Sequence, residues 1–162
     1  MPDFLRVFLA LLSNEFKVMF TAAIPVIEVK GAIPIGIALG MAPLHATFLA
    51  FLGSVIPVPL ILFTVRPIIN YLKKTKTFKK MVNKIIHKSM NKSGNVKKYG
   101  YLGLFLFVAI PLPGTGVWTG SLIASLLDLR FKYAFPTILL GNLIASIIIM
   151  SLSFGMANLF GW

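Results

Sequence analysis

Between Gly31 and Val65 the chain runs for 35 residues without an Asp, Glu, Lys or Arg. A single helix needs only about 20 apolar residues to cross a hydrocarbon core. This run is therefore too long for one crossing and must turn. Two more uncharged runs follow, 99–127 (29 residues) and 133–162 (30 residues). Hydrophobic residues make up 57% of the chain and charged residues 12%, against about 25% charged in an average soluble domain. The chain reads as an all-α integral membrane protein.

The charges are as unevenly spread as the apolar runs. Eleven of the sixteen Lys and Arg fall between Arg66 and Lys98, and no acid falls between Val29 and Leu127. The net charge of +12 is thus concentrated in one loop. An excess of Lys and Arg marks cytoplasmic loops, so residues 66–98 are expected in the cytoplasm of a multi-pass plasma (inner) membrane protein. Nucleic acid is not expected as a partner. Within the loop, Phe78, Val82, Ile85 and Ile86 sit at helical spacing, with Lys79, Lys80, Lys84 and Lys88 between them. That pattern predicts a basic amphipathic helix on an anionic lipid leaflet, ended by Asn91–Asn95.

Several chemistries are excluded. There is no cysteine, so disulfides and thiolate metal sites are absent. His45 and His87 are far apart, and no metal site or cofactor is expected. No nucleophile has an evident base, and the chain does not read as an enzyme. Asp3, Arg6, Glu15 and Lys17 interrupt the N-terminal segment, which reads as mature protein rather than a cleaved signal. Phe4, Leu5, Phe8, Leu12, Phe16 and Phe20 lie near one helical face, predicting an interfacial helix over 1–20.

Turns divide the rest. Gly40–His45, "GMAPLH", breaks the first long run. Leu44–Val65 is long enough to span once, with a kink expected at Pro57 and Pro59. The second uncharged run is interrupted by "PLPGTGVWTG", Pro111–Gly120. Two segments look alike: "FTAAIPV" (Phe20–Val26) and "LFVAIPL" (Leu106–Leu112). Each leads into a break, an apolar run, a turn and a long helix carrying Gly53 or Gly141. The expected architecture is two inverted repeats, 21–65 and 99–162. Each would be a re-entrant helical hairpin plus a transmembrane helix, and the basic linker would join them. Inverted repeats with broken helices are common in secondary transporters. The competing model makes every apolar segment a full crossing.

The candidate site lies in the breaks. Glu28 and Lys30 stand in "IPVIEVKGAIPIGIAL", between Pro25 and Pro34 and beside Gly31. A charge at the bilayer centre costs about 2.5–3.5 kcal/mol on insertion scales, so it needs a partner, water or a function. Irregular backbone at that depth must be buried in protein or line a wet cavity. The second break, with Pro111, Pro113, Gly114, Thr115, Gly116, Trp118 and Thr119, offers hydroxyls and exposed amides suited to an anionic group. Arg130 and Asn142 complete the candidate set. The hairpin tips are expected to meet near the midplane.

"PVIEVKGAIPIGIALG" (Pro25–Gly40) resembles the signature of the small multidrug export protein family. "PLPGTGVWTGSLIASLL", "LRFKYA" and "ILLGNLIA" resemble its second half, and the likeness covers about residues 20–155. Lys30 stands where the family more often has Arg. The layout is also similar to the DedA-like (VTT) membrane proteins, a group associated with lipid scrambling and recycling of polyprenyl-phosphate carriers. The family's name implies drug efflux, and the expectation is a small secondary transporter, proton- or cation-coupled and homo-oligomeric. Its cargo would be an amphipathic drug or a lipid-linked phosphate. The rival readings are a non-transporting membrane factor that recruits anionic lipid or a partner protein through the basic linker, and a channel.

Overall fold

The computed structural model describes residues 13–74 and 76–160. Residues 1–12, with most of the expected interfacial helix (Phe4, Leu5, Phe8 and Leu12 included), lie outside the described residues. The described residues form α-helices joined by short turns, with no strand among them. In chain order these are α1 (Asn14–Ala23), α2 (Glu28–Ala38), α3 (Pro43–Val55), α4 (Pro57–Lys74), α5 (Lys76–Asn91), α6 (Gly94–Tyr99), α7 (Tyr101–Ala109), α8 (Val117–Leu126) and α9 (Phe131–Phe160). Pro43–Val65 and Phe131–Met156, with mean hydropathies of 2.3 and 2.1, are long and apolar enough to cross a membrane. The first is split at Ile56, where α3 ends and Pro57 opens α4. Proline lacks the N–H that would continue the ladder but fits a first helical position. The irregularity expected at the prolines is therefore a one-residue interruption.

Two compact units separate: one holds α1–α3 with the end of α9 from Ala145, the other α4–α8 with the start of α9 up to Ile144. In the first unit, Ser13 caps α1, its Oγ accepting from the Phe16 N–H at 3.4 Å. The helix stops at Ala23 because Pro25 pushes Ile24 into extended backbone (φ −74°, ψ 134°). After α2 the chain turns at Gly40 (φ +82°), whose N–H donates to the Ile37 carbonyl while that of Met41 donates to Gly36. This paired bond pattern closes a helix with a left-handed residue, which glycine adopts without steric cost. Val18, Ala22, Val29, Ala32, Ile33 and Ala50 form the core. A Cβ on Gly53 would collide with the Met19 backbone, so α1 and α3 touch main chain to main chain.

In the second unit α5 packs along α4 and against α8. Val82 and Ser89 are buried, while Lys79, Lys80, Lys84 and Lys88 are exposed along with Met81 (52%) and Ile85 (46%). The end of the basic segment does not float free: Ser89, Ser93 and Val96 are all buried. Gly100 (φ +57°) reverses the chain, and α6 lies back on α7 with Gly103 against the Asn95 carbonyl. Leu104, Val108, Val117, Ile123, Ala124, Ala134 and Ile138 build the core.

The local geometry of the first hairpin recurs in the second. Ile110, like Ile24, is extended before a proline (φ −85°, ψ 114°). Asp128 (φ +63°), like Gly40, closes its helix: its N–H donates to Ser125 and that of Leu129 to Ala124. Gly141 approaches the Phe105 carbonyl, as Gly53 approaches Met19; a Cβ there would lie 2.9 Å from that oxygen. Helices α1, α2, α7 and α8 have 10, 11, 9 and 10 residues. At 1.5 Å per residue each is roughly 15 Å long, about half a hydrocarbon core.

Candidate functional site

The break between α1 and α2 is built around Glu28. Its backbone is left-handed (φ +50°), a region a non-glycine residue occupies at a cost of about 1–3 kcal/mol. The preceding turn is closed by the Glu28 N–H donating to the Ile24 carbonyl at 3.1 Å. Such strain persists only where surroundings impose it. Here Val29, Ala32 and Ile33 anchor the first turns of α2 in the core, and the Glu28 side chain is itself buried (4% exposed). Its Oε2 lies 3.2 Å from the Lys30 ammonium.

Positions two apart on a regular helix point away from each other. The left-handed residue at the helix start changes the direction of Glu28 enough for the two to pair. Gly31 supports the bend, because a Cβ there would run into the Ile27 side chain. Pro34, inside α2, offers no N–H for the bond to position 30, which keeps this end of the helix irregular. Glu28, Lys30, Gly31 and Pro34 are therefore brought together at one tip.

The second break runs from Ile110 to Gly116. Pro111 starts it, and Pro113 and Gly114 are exposed at its apex. Thr115 does not present its hydroxyl to the surroundings alone. The Oγ1 lies 2.8 Å from the Ile110 carbonyl and 2.9 Å from that of Leu112, and accepts from the Leu112 N–H at 3.1 Å. One hydroxyl proton shared between two carbonyls makes this side chain the tie that closes the loop. Gly114 (φ +79°) and Gly116 (φ +132°) supply backbone that an L side chain rarely adopts. Gly116 also caps α8 without a side-chain bond. Trp118 and Thr119, half-buried, follow in the first turn of α8.

Two of the expected site residues stand outside the two breaks in the chain. Arg130 follows the far end of α8, where its N–H donates to the Tyr101 hydroxyl at 3.2 Å; the ten-residue helix separates it from the Gly114 tip by roughly 15 Å. Asn142 is buried (2% exposed) in α9, one residue after the Gly141 contact. Ser121, which the sequence did not single out, is fully buried on α8, and its Oγ has no hydrogen-bond partner among the described residues.

Sequence reading also missed Lys92. It was counted among the charges of the linker, yet its Nζ donates to the Gly114 carbonyl at 3.1 Å. The ammonium occupies the space that a Cβ at position 114 would take. A signal was present: Lys92 directly follows the end of α5, where the chain must turn inward to reach α7.

Among the described residues no group of three or more His, Cys, Asp and Glu could hold a metal. A family model described as "Putative small multi-drug export protein" matches residues 28–148 of the chain. No curated protein and no solved structure matches it.

Proposed function

The chain belongs to the small multi-drug export family, and from that premise we propose a small secondary transporter driven by a proton or cation gradient. Its cargo is an amphipathic molecule, either a drug or a lipid-linked phosphate. One observation carries the reading: a buried carboxylate, held in left-handed backbone between two half-length helices, paired with a lysine. A proton on Glu28 removes the charge that holds Lys30. The Lys30 ammonium then exchanges this carboxylate for an anionic group on the cargo, and loss of the proton restores the internal pair. One carboxylate thus makes proton binding and cargo binding depend on each other.

The half-length of α1, α2, α7 and α8, and the recurrence of their turns, support two re-entrant hairpins arranged as inverted repeats. In that arrangement the basic segment lies on the cytoplasmic side of the plasma membrane, as the positive-inside tendency requires. Glu28, Lys30, Gly31 and Pro34 form one working tip, and Pro111, Pro113, Gly114, Gly116, Trp118 and Thr119 the other. Thr115 holds the second tip in shape.

The test is uptake of a fluorescent amphiphilic dye into proteoliposomes under an imposed pH gradient. Glu28→Gln should abolish gradient-driven movement, while Glu28→Asp retains part of it. Unchanged uptake by Glu28→Gln would end the proposal. A second reading is favoured by the exposed lysines of α5 beside exposed Met81 and Ile85: a membrane factor that recruits anionic lipid. Reversing the charge of Lys79, Lys80, Lys84 and Lys88 would then destroy function, and Glu28→Gln would be silent.

A further inference from the structure

The two tips differ in how their lysines are balanced. Glu28 and Gly114 are the first positive-φ residues of the two breaks (φ +50° and +79°), each four residues after an extended isoleucine, Ile24 or Ile110. Each receives a lysine ammonium, Lys30 at 3.2 Å and Lys92 at 3.1 Å. Lys30 meets a carboxylate. Lys92 meets a backbone carbonyl, which carries no net charge.

No carboxylate is near enough to neutralise it within its own unit. Between Ile56 and Ile144 the single acid is Asp128, beyond the far end of α8, roughly 15 Å along that helix from the tip. An ammonium has three donors, and the Gly114 carbonyl uses one. Lys92 is exposed, and the turn that carries it is tied down by hydrogen bonds. The Lys92 N–H donates to the Ser89 carbonyl at 3.2 Å, the Ser93 N–H donates to Met90 at 3.1 Å, and the Ser93 hydroxyl donates to the Met90 carbonyl at 2.6 Å. Ser89 and Ser93, on either side of it, are buried.

We propose that Lys92 and the Gly114 tip form an anion subsite that takes the phosphate group of the cargo. The proposal rests on the transporter reading for its biological meaning, and it narrows the cargo class from amphiphiles in general to phosphate-bearing ones. Gly114 keeps the subsite open, because the ammonium stands where a side chain would otherwise be. Trp118, in the first turn of α8, stands four residues after Gly114 in the chain, which makes that indole the reporter.

The chain has two tryptophans, so a Trp162→Phe background leaves Trp118 alone. Its fluorescence is followed in uncharged detergent while inorganic phosphate or dihexanoyl phosphatidic acid is added, at constant ionic strength. A saturable change is expected, weakened roughly tenfold by Lys92→Gln, the scale of one charge-assisted hydrogen bond, and preserved by Lys92→Arg and by Lys80→Gln. A response to both probes identifies a general phosphate site; a response to phosphatidic acid alone identifies a lipid phosphate. No saturable response, an equal response in Lys92→Gln, or an equal loss in Lys80→Gln overturns the proposal. The measurement needs no gradient, so a silent Glu28→Gln in the dye assay would remove the transporter reading and leave this binding result standing.

Discussion

The hairpins α1–α2 and α7–α8 share a backbone and differ in chemistry. Both enter their tips through an extended isoleucine before proline, both pass a left-handed residue, and both leave through a left-handed helix stop. The first tip is occupied from within, by a buried acid and the base two residues on. The second has glycine where the first has glutamate, and borrows its cation from a segment 22 residues earlier. The lesson is that the turn geometry does not require the charge. Glycine gives the same backbone without strain, so Glu28 is held at a conformational cost that its carboxylate must justify.

The comparison can be broken first at its backbone contacts. If Gly53 and Gly141 play the same part, alanine at either should loosen its helix pair. Gly53→Ala drives a Cβ into the Met19 main chain, whereas the contacts of Gly141 are longer and partly with the Val108 side chain. Overpacking of this kind costs about 1–3 kcal/mol, with Gly53→Ala expected at the upper end and Gly141→Ala at the lower. Thermal unfolding of the purified variants in detergent measures both, and the reverse order would contradict the contact geometry.

A smaller effect is expected at the second tip itself. Thr115→Val removes the hydroxyl that ties Ile110 to Leu112 and should cost about 1–2 kcal/mol. It should also raise the susceptibility of residues 110–116 to protease, with no such change around Glu28.

The smallest effect concerns the base of the first hairpin. Hydrogen bonds from its own backbone and from Ser13, with attraction from His45, hold the exposed Glu15 carboxyl below its usual 4.5. A lowered folded-state value stabilises the fold above the unfolded value, and that contribution disappears as pH falls through the folded one. Glu15→Gln should therefore flatten the dependence of Tm on pH slightly below 4.5, and a titration of Glu15 followed by NMR should give a lowered midpoint.

Much of this was legible in the sequence because helix breakers act locally. Pro25, Pro111, Gly40 and Pro57 each mark an interruption within a residue or two of where it occurs. The two long apolar spans follow from runs without charge. The family resemblance was carried by motifs that retain their own turn chemistry. What the sequence concealed was non-local or contrary to propensity. Nothing in residue type predicts left-handed backbone at a glutamate. The reach of Lys92 to Gly114 depends on α6 folding back along α7. The bonds by which the Thr115 hydroxyl ties Ile110 to Leu112 cannot be read from residue type in a glycine-rich loop. Arg130 belongs to a later motif, and α8 stands between it and the tip residues.

The reversal at Gly100 also bears on the order in which the chain assembles. Asn95 and Gly103, which meet across it, are only eight residues apart, so the loop that joins them is cheap to close and closes on a timescale of roughly 10–100 ns. The α6–α7 pair can therefore form as soon as both strokes of chain exist, before the Gly114 tip has been made. Lys92, two residues before α6, precedes that pair in the chain, whereas the Gly114 tip that it meets follows it.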